Sequence, residues 1–194
     1  QWVLGLNIMD RPGASAEAMA RGNAVHKAIE RMTLMWPHVL PDDCEEQIEQ
    51  LLIEELTAHG FEEAAMARET PLARNCARWL AGFEAERRAR GVNLLIPFTM
   101  KASAARIEVG ATGAAIMDFK TGAAPSGKQV KAGFAPQLTL TAAILADGGF
   151  KDTNGPVPAD ELTYVRVIGR KKAGEVAVRA SGPEAAALGE AALE

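Results

Sequence analysis

The sequence predicts an α/β domain: a small mixed sheet flanked by helices, with a helical segment in front of it. Three observations carry this reading. Apolar residues recur at helical spacing through residues 16–90, the period changes to an extended pattern after Gly91, and glycine-containing turns separate the short apolar runs that follow.

Met19, Val25, Ile29 and Met32 form an apolar stripe that predicts a helix from Ala16 to about Met35, closed before Pro37. A second helix follows Pro41, with Asp42 or Asp43 near its start, Ile48, Leu51, Leu52 and Leu56 on one face, and an end near Gly60. A third is expected to begin at Thr70-Pro71, an N-cap followed by proline at the first helical position. It would carry Leu72, Cys76, Trp79, Leu80 and Phe83 toward Arg90.

Leu94 to Val109 then reads as extended chain, Gly110-Ala111-Thr112-Gly113 as a turn, and Ala114 to Phe119 as the returning strand of an antiparallel hairpin. A loop at Thr121 to Gly127 precedes a helix from Pro136 to Leu145 that stops at Gly148-Gly149. Leu162 to Ile168 and Glu175 to Ala180 read as strands joined by the basic turn Gly169-Arg170-Lys171-Lys172, and a last helix follows Ser181-Gly182-Pro183. The layout is one domain over 1–194, helical in 1–90, sheet and central helix in 94–180, terminal helix in 183–194.

The chain has 194 residues, 48% apolar and 24% charged, and no apolar run near the ~20 residues of a membrane span, so no membrane partner is expected. Gln1 to Leu6 are too short for a signal peptide and look like the start of an excised fragment. Cys44 and Cys76 lack metal-type spacing, which disfavours a disulfide or zinc site and suits a reducing, cytoplasmic setting. A net charge of −4 argues against tight autonomous DNA binding, because nonspecific affinity comes from Lys and Arg neutralising phosphates.

The most informative stretch is Ile116-Met117-Asp118-Phe119-Lys120-Thr121-Gly122. Strand alternation points Asp118 and Lys120 to one face at the end of an apolar strand. Such a pair suits phosphodiester hydrolysis: the carboxylate can hold a hard divalent cation, and the ammonium can orient water or stabilise charge growing on phosphate.

Four further segments carry a resemblance. Arg21-Gly22-Asn23-Ala24-Val25-His26-Lys27-Ala28-Ile29-Glu30 is similar to the Arg-Gly-X-X-X-His-X-X-X-Glu helix of the RecB and AddB nuclease domains. Gly133-Phe134-Ala135-Pro136-Gln137-Leu138 resembles their glutamine-bearing helix. Ala104-Ala105-Arg106-Ile107-Glu108 resembles their Ala-Asp-Arg-Ile-Asp/Glu strand, and Phe98-Thr99-Met100-Lys101-Ala102 also reads like AddB proteins that lack an iron-sulfur cluster.

This resemblance implies a PD-(D/E)XK, restriction-endonuclease-like core and a metal-dependent DNA exonuclease acting in double-strand break repair by recombination. His26, Asp118 and the backbone carbonyl of Phe119 would bind Mg²⁺ or Mn²⁺, Lys120 would act on water or phosphate, and Gln137 would orient the lysine or the substrate. DNA would be fed by an AddA-like helicase-nuclease subunit.

Ala105 stands where the family's first strand acid is expected, and a methyl group cannot ligate a cation. Alternation points Glu108 to the opposite face, so it is not expected to substitute, and rescue by Glu86 ranks low. Glu30 is expected in an intrahelical pair or against Arg21 or Arg31. The chain passes abruptly through Gly91-Val92-Asn93, where the family usually has a further strand or loop with a glutamate, so either the chain is shortened there or a piece is missing from the sequence; two cysteines cannot make a four-cysteine iron-sulfur cluster. The alternative reading is a catalytically dead module of the same fold that binds DNA or stabilises a complex, using basic residues such as Arg166, Arg170, Lys171 and Lys172.

Overall fold

The structure is a computed structural model that describes residues 16–91, 93–95, 105–150, 153 and 155–193. The expectations for Gln1–Leu6, Val92 and Phe98–Ala102 therefore lie outside the described residues.

Helix α1 (Ala16–Met35) buries Ala24, Val25, Ala28, Ile29 and Met32, the three-and-four spacing that defines one face. Helix α2 (Cys44–Ala58) buries Ile48, Leu51, Leu52 and Leu56 against it, and Glu45 and Glu46 lie in its first turn, where the helix dipole favours negative charge. Helix α3 runs from Glu63 to Ala89 and thus begins seven residues before the expected Thr70-Pro71 start, with Pro71 inside it. Tertiary contacts override the local signal. Ala65 and Met66 pack on the core of the helical trio, and Glu69 is held by Arg21 of α1. The proline costs one main-chain hydrogen bond but does not end the helix.

Among the described residues the sheet has five strands in the order β1 (Asn93–Leu95), β2 (Ala105–Val109), β3 (Ala114–Lys120), β4 (Ala159–Val167) and β5 (Gly174–Ser181). Its β3–β4 pair is parallel and its other pairs antiparallel. A parallel pair needs a crossover, and this one contains α4 (Gly127–Lys131) and α5 (Gln137–Ala146). Helix α4 was not expected. Its signal is Ser126-Gly127-Lys128-Gln129: the Ser126 hydroxyl accepts from the Gln129 amide and the Gln129 side chain accepts from the Ser126 amide, a complete capping box. Helix α6 (Pro183–Glu190), followed by a 3₁₀ turn over Ala191–Leu193, closes the chain.

Each sheet face has its own core. Met117, Phe119, Val165 and Val167 meet the α1–α3 trio, where Phe119 sets its edge against Phe83, itself stacked on Trp79. Ile107, Ile116, Leu162 and Tyr164 face Leu138 and Leu145 of α5 and Ala185 of α6. Because β3 is covered on both sides, it reads as a nearly continuous apolar run rather than an alternating one.

A buried ionic network ties α3 to the sheet on the trio side. Arg87 reaches Glu108 at 2.6 Å and Glu161 at 3.3 Å, while Arg106 bonds Glu84 and stands 2.6 Å from Glu108. These groups sit on the face of β2 opposite to position 105. Glu108 is thus committed to two arginines, as its strand parity predicts, and Glu86 pairs with Arg90 at the surface. Neither acid is at the site described next.

Candidate functional site

Position 105 opens β2, and the β2–β3 register pairs it directly with Asp118. Directly opposed residues of an antiparallel pair project to the same face with their Cβ atoms about 5 Å apart. The parallel β3–β4 register places Tyr164 on the other side of Asp118. Asp118 is thus flanked within the sheet by position 105 and Tyr164.

The Asp118 carboxylate is almost fully buried, and its Oδ1 has no hydrogen-bond partner among the described residues. Lys120, two residues along and on the same face, brings its ammonium to 2.8 Å from Oδ2. Burial pushes the Asp118 carboxyl above its ordinary range, and the charge and hydrogen bond of Lys120, with the nearby His26, only partly offset this. Lys120 also donates to Oε1 of Gln137 at 3.1 Å, so the first residue of α5 holds the lysine at the strand end.

His26 comes from the opposite layer. Arg21 fixes α1 to α3 through two contacts with Glu69, at 2.8 and 2.5 Å. One residue on, Gly22 places α1 near the end of β3: a Cβ there would lie 3.4 Å from Oγ1 of Thr121, an ordinary contact distance. One turn later the His26 ring hydrogen-bonds the carbonyl of Phe119 and feels the charges of Asp118 and Lys120. Burial holds its pKa below the ordinary histidine value. A neutral imidazole that donates through one nitrogen keeps a lone pair on the other. Glu30 pairs with Lys27, and Arg31 with Glu54 and Glu55, so these belong to the helix surface.

The structure therefore brings His26, Phe119, Asp118, Lys120 and Gln137 together, with position 105 beside Asp118. The buried, under-bonded carboxylate, the imidazole and the carbonyl are donor types that fit a hard divalent cation. The set has one carboxylate, and no group of three His, Cys, Asp or Glu side chains that could hold a metal occurs among the described residues. Of the basic residues of the β4–β5 edge, Arg166 and Lys172 both contact Glu175, whereas Arg170 and Lys171 are exposed.

Tyr164 was missed by sequence reasoning. It is fully buried, its hydroxyl lacks a partner among the described residues, and its ring lies under the Lys120 ammonium, 5.9 Å from the centroid. The available signal was a tyrosine in the middle of an apolar strand, since a buried phenol needs a polar partner.

No described helix is long and apolar enough to cross a membrane. Comparison with curated proteins and with solved structures found no match to the chain. A family model of the PD-(D/E)XK nuclease superfamily matches residues 1–194, and with an acid-X-Lys pair at the end of a central strand of a mixed sheet, the chain belongs to that superfamily.

Proposed function

We propose that this chain is the DNA-hydrolysing domain of an AddB-like helicase-nuclease subunit, working beside an AddA-like partner in double-strand break repair, and that its site is disabled by alanine at position 105. The observation that carries the proposal is the convergence of Asp118, Lys120, Gln137 and His26 around a carboxylate with an unused oxygen, next to the position where a second acid belongs. Order and spacing of the RecB- and AddB-like segments support the finer assignment.

His26, Asp118 and the Phe119 carbonyl would hold Mg²⁺, which supplies charge stabilisation to the phosphate and a more acidic water. Phe119 already accepts from His26, and a carbonyl has a second lone pair to offer. Lys120, held by Gln137, stands ready to place positive charge against the non-bridging phosphate oxygens, where negative charge gathers during in-line attack. Burial of Asp118 excludes competing water and strengthens each of these interactions.

The second reading, a nuclease fold that binds DNA without cutting it, is favoured by Ala105 itself, because one carboxylate positions a divalent cation poorly. Both readings are separated by cleavage of labelled single-stranded DNA with Mg²⁺, comparing the chain, Ala105→Asp, and Ala105→Asp with Lys120→Ala. Cleavage that appears with the restored acid and disappears without the lysine supports the nuclease. Silence of a folded, metal-binding Ala105→Asp variant supports the non-catalytic module.

A further inference from the structure

The β4–β5 ladder contains an irregularity whose position bears on the site. Leu162 pairs with Ala180 and Thr163 with Val178, so Arg179 is an extra residue on β5 without a partner of its own on β4. A bulge of this kind breaks strict alternation and re-aims one side chain. Ala177 and Ala180 both join the core on the Tyr164 face, which a regular strand would not allow for residues three apart. The bulge absorbs the mismatch by turning Ala180 inward, while Arg179, two residues from Ala177, keeps that residue's face and lies beside the same ring.

The Arg179 guanidinium lies 5.8 Å from the Tyr164 ring centroid, and the Lys120 ammonium lies 5.9 Å from it. Lys120 is matched there by the Asp118 carboxylate at 2.8 Å, so the cation at the ring without a carboxylate of its own is Arg179. The arginines 87, 106 and 166 of α3, β2 and β4 are matched to carboxylates. Arg179 instead donates Nε to the carbonyl of Pro125 at 2.6 Å, with Nη1 3.5 Å from the carbonyl of Val178, and no described carboxylate pairs with it. The Pro125 contact fixes its direction without neutralising it. The Tyr164 hydroxyl, buried and unpartnered among the described residues, is a second unused polar group at the same place.

We propose that Arg179 is a phosphodiester-anchoring residue of this site, placed two residues beyond Ala177 on the Tyr164 face to hold a backbone phosphate next to the one that Lys120 engages. A planar guanidinium with free donors suits a phosphate better than a lysine does, because it can give two parallel hydrogen bonds. The inference rests on the nuclease reading. It adds that the substrate backbone crosses the sheet end from β3 toward β5, past the loop that carries Pro125.

The test is binding of a labelled single-stranded oligonucleotide, without divalent metal and over a series of salt concentrations, by the full chain, Arg179→Gln, Arg179→Lys and Arg78→Gln. Arg78 lies on α3 and contacts Glu45, away from the site, and serves as the charge-matched control. Arg179→Gln should weaken binding roughly tenfold at low salt and lower the slope of log affinity against log salt by about 0.7, the value for one phosphate contact on a single strand. Arg179→Lys should keep the slope, which separates lost charge from lost structure, and Arg78→Gln should change neither quantity. Equal loss in Arg179→Gln and Arg78→Gln, or an unchanged slope in Arg179→Gln, overturns the inference and leaves the nuclease reading standing. A parent chain that binds no oligonucleotide at the lowest salt also overturns the inference and leaves the nuclease reading to the cleavage test.

Discussion

Ala105 and Asp118 are direct register partners across the β2–β3 hairpin, so the backbone that would present a second carboxylate to the site is already in place. Restoring the acid should therefore change metal affinity without rebuilding the fold. Ala105→Asp should gain a rise in melting temperature on adding Mg²⁺ or Mn²⁺ that the parent chain lacks, because a ligand that binds the folded state tenfold above its Kd stabilises by about 1.4 kcal/mol. Equal metal response in the two proteins would mean that position 105 is not part of a cation site.

Asp118 is destabilising while no cation is bound. Its folded pKa lies above the ordinary value because burial penalises the charge. The folded state therefore holds the proton more tightly than the unfolded chain, and stability falls as pH rises from the ordinary value of 3.8 through the folded pKa. Asp118→Asn should accordingly raise stability at neutral pH by about 1 kcal/mol, the scale of gains seen when a strained functional group is replaced. Urea unfolding at neutral and acidic pH tests this, and a variant less stable at neutral pH would show that the ion pair with Lys120 outweighs desolvation.

His26 gives the opposite dependence. Its folded pKa lies below the ordinary 6.5, so as pH falls through that value the unfolded chain takes up a proton that the folded state does not. Stability is then lost on acidification below 6.5, at up to about 1.4 kcal/mol per pH unit, until the folded pKa is reached. The metal-free chain should show this slope, and His26→Asn should flatten it. Ring-proton titration by NMR reads the same pKa directly.

The network of Arg87, Arg106, Glu84 and Glu108 should be intolerant of single truncation. Glu108→Ala would leave two buried guanidinium groups without this partner and should cost about 3–5 kcal/mol, measured by denaturant unfolding. Gly174→Ala should be destabilising for a steric reason: its Cβ would lie 2.1 Å from Cδ2 of Trp79, and the displaced indole would disturb the stack on Phe83. A cost of about 1–3 kcal/mol is expected.

Much of this architecture was legible where one physical rule dominates. Amphipathic spacing located α1 and α2 because their buried faces are regular, and alternation sent Glu108 away from the site because strand parity admits no compromise. The start of α3 was not legible. Thr70-Pro71 is a sound local start signal, and the contacts that overrule it, Glu69 with Arg21 and Met66 with the core, come from residues distant in sequence. At the site, the Asp118–Lys120 pair follows from a two-residue period and could be read directly. The meeting of Arg179 with Lys120 at Tyr164 could not, because it depends on which strands are neighbours in the sheet, and β3 comes from a part of the chain distant from β4 and β5.

The ionic network has a meaning for how such domains change over time. It grips β2 from the face that does no chemistry, through Arg106 and Glu108, and so keeps the strand in frame whatever stands at position 105. On the proposed function, the contacts that hold the strand and the groups that would act on the substrate lie on two sides of one strand. Alanine and aspartate codons can differ by a single base, so on the proposed function one base change would stand between this chain and one with the second carboxylate in place.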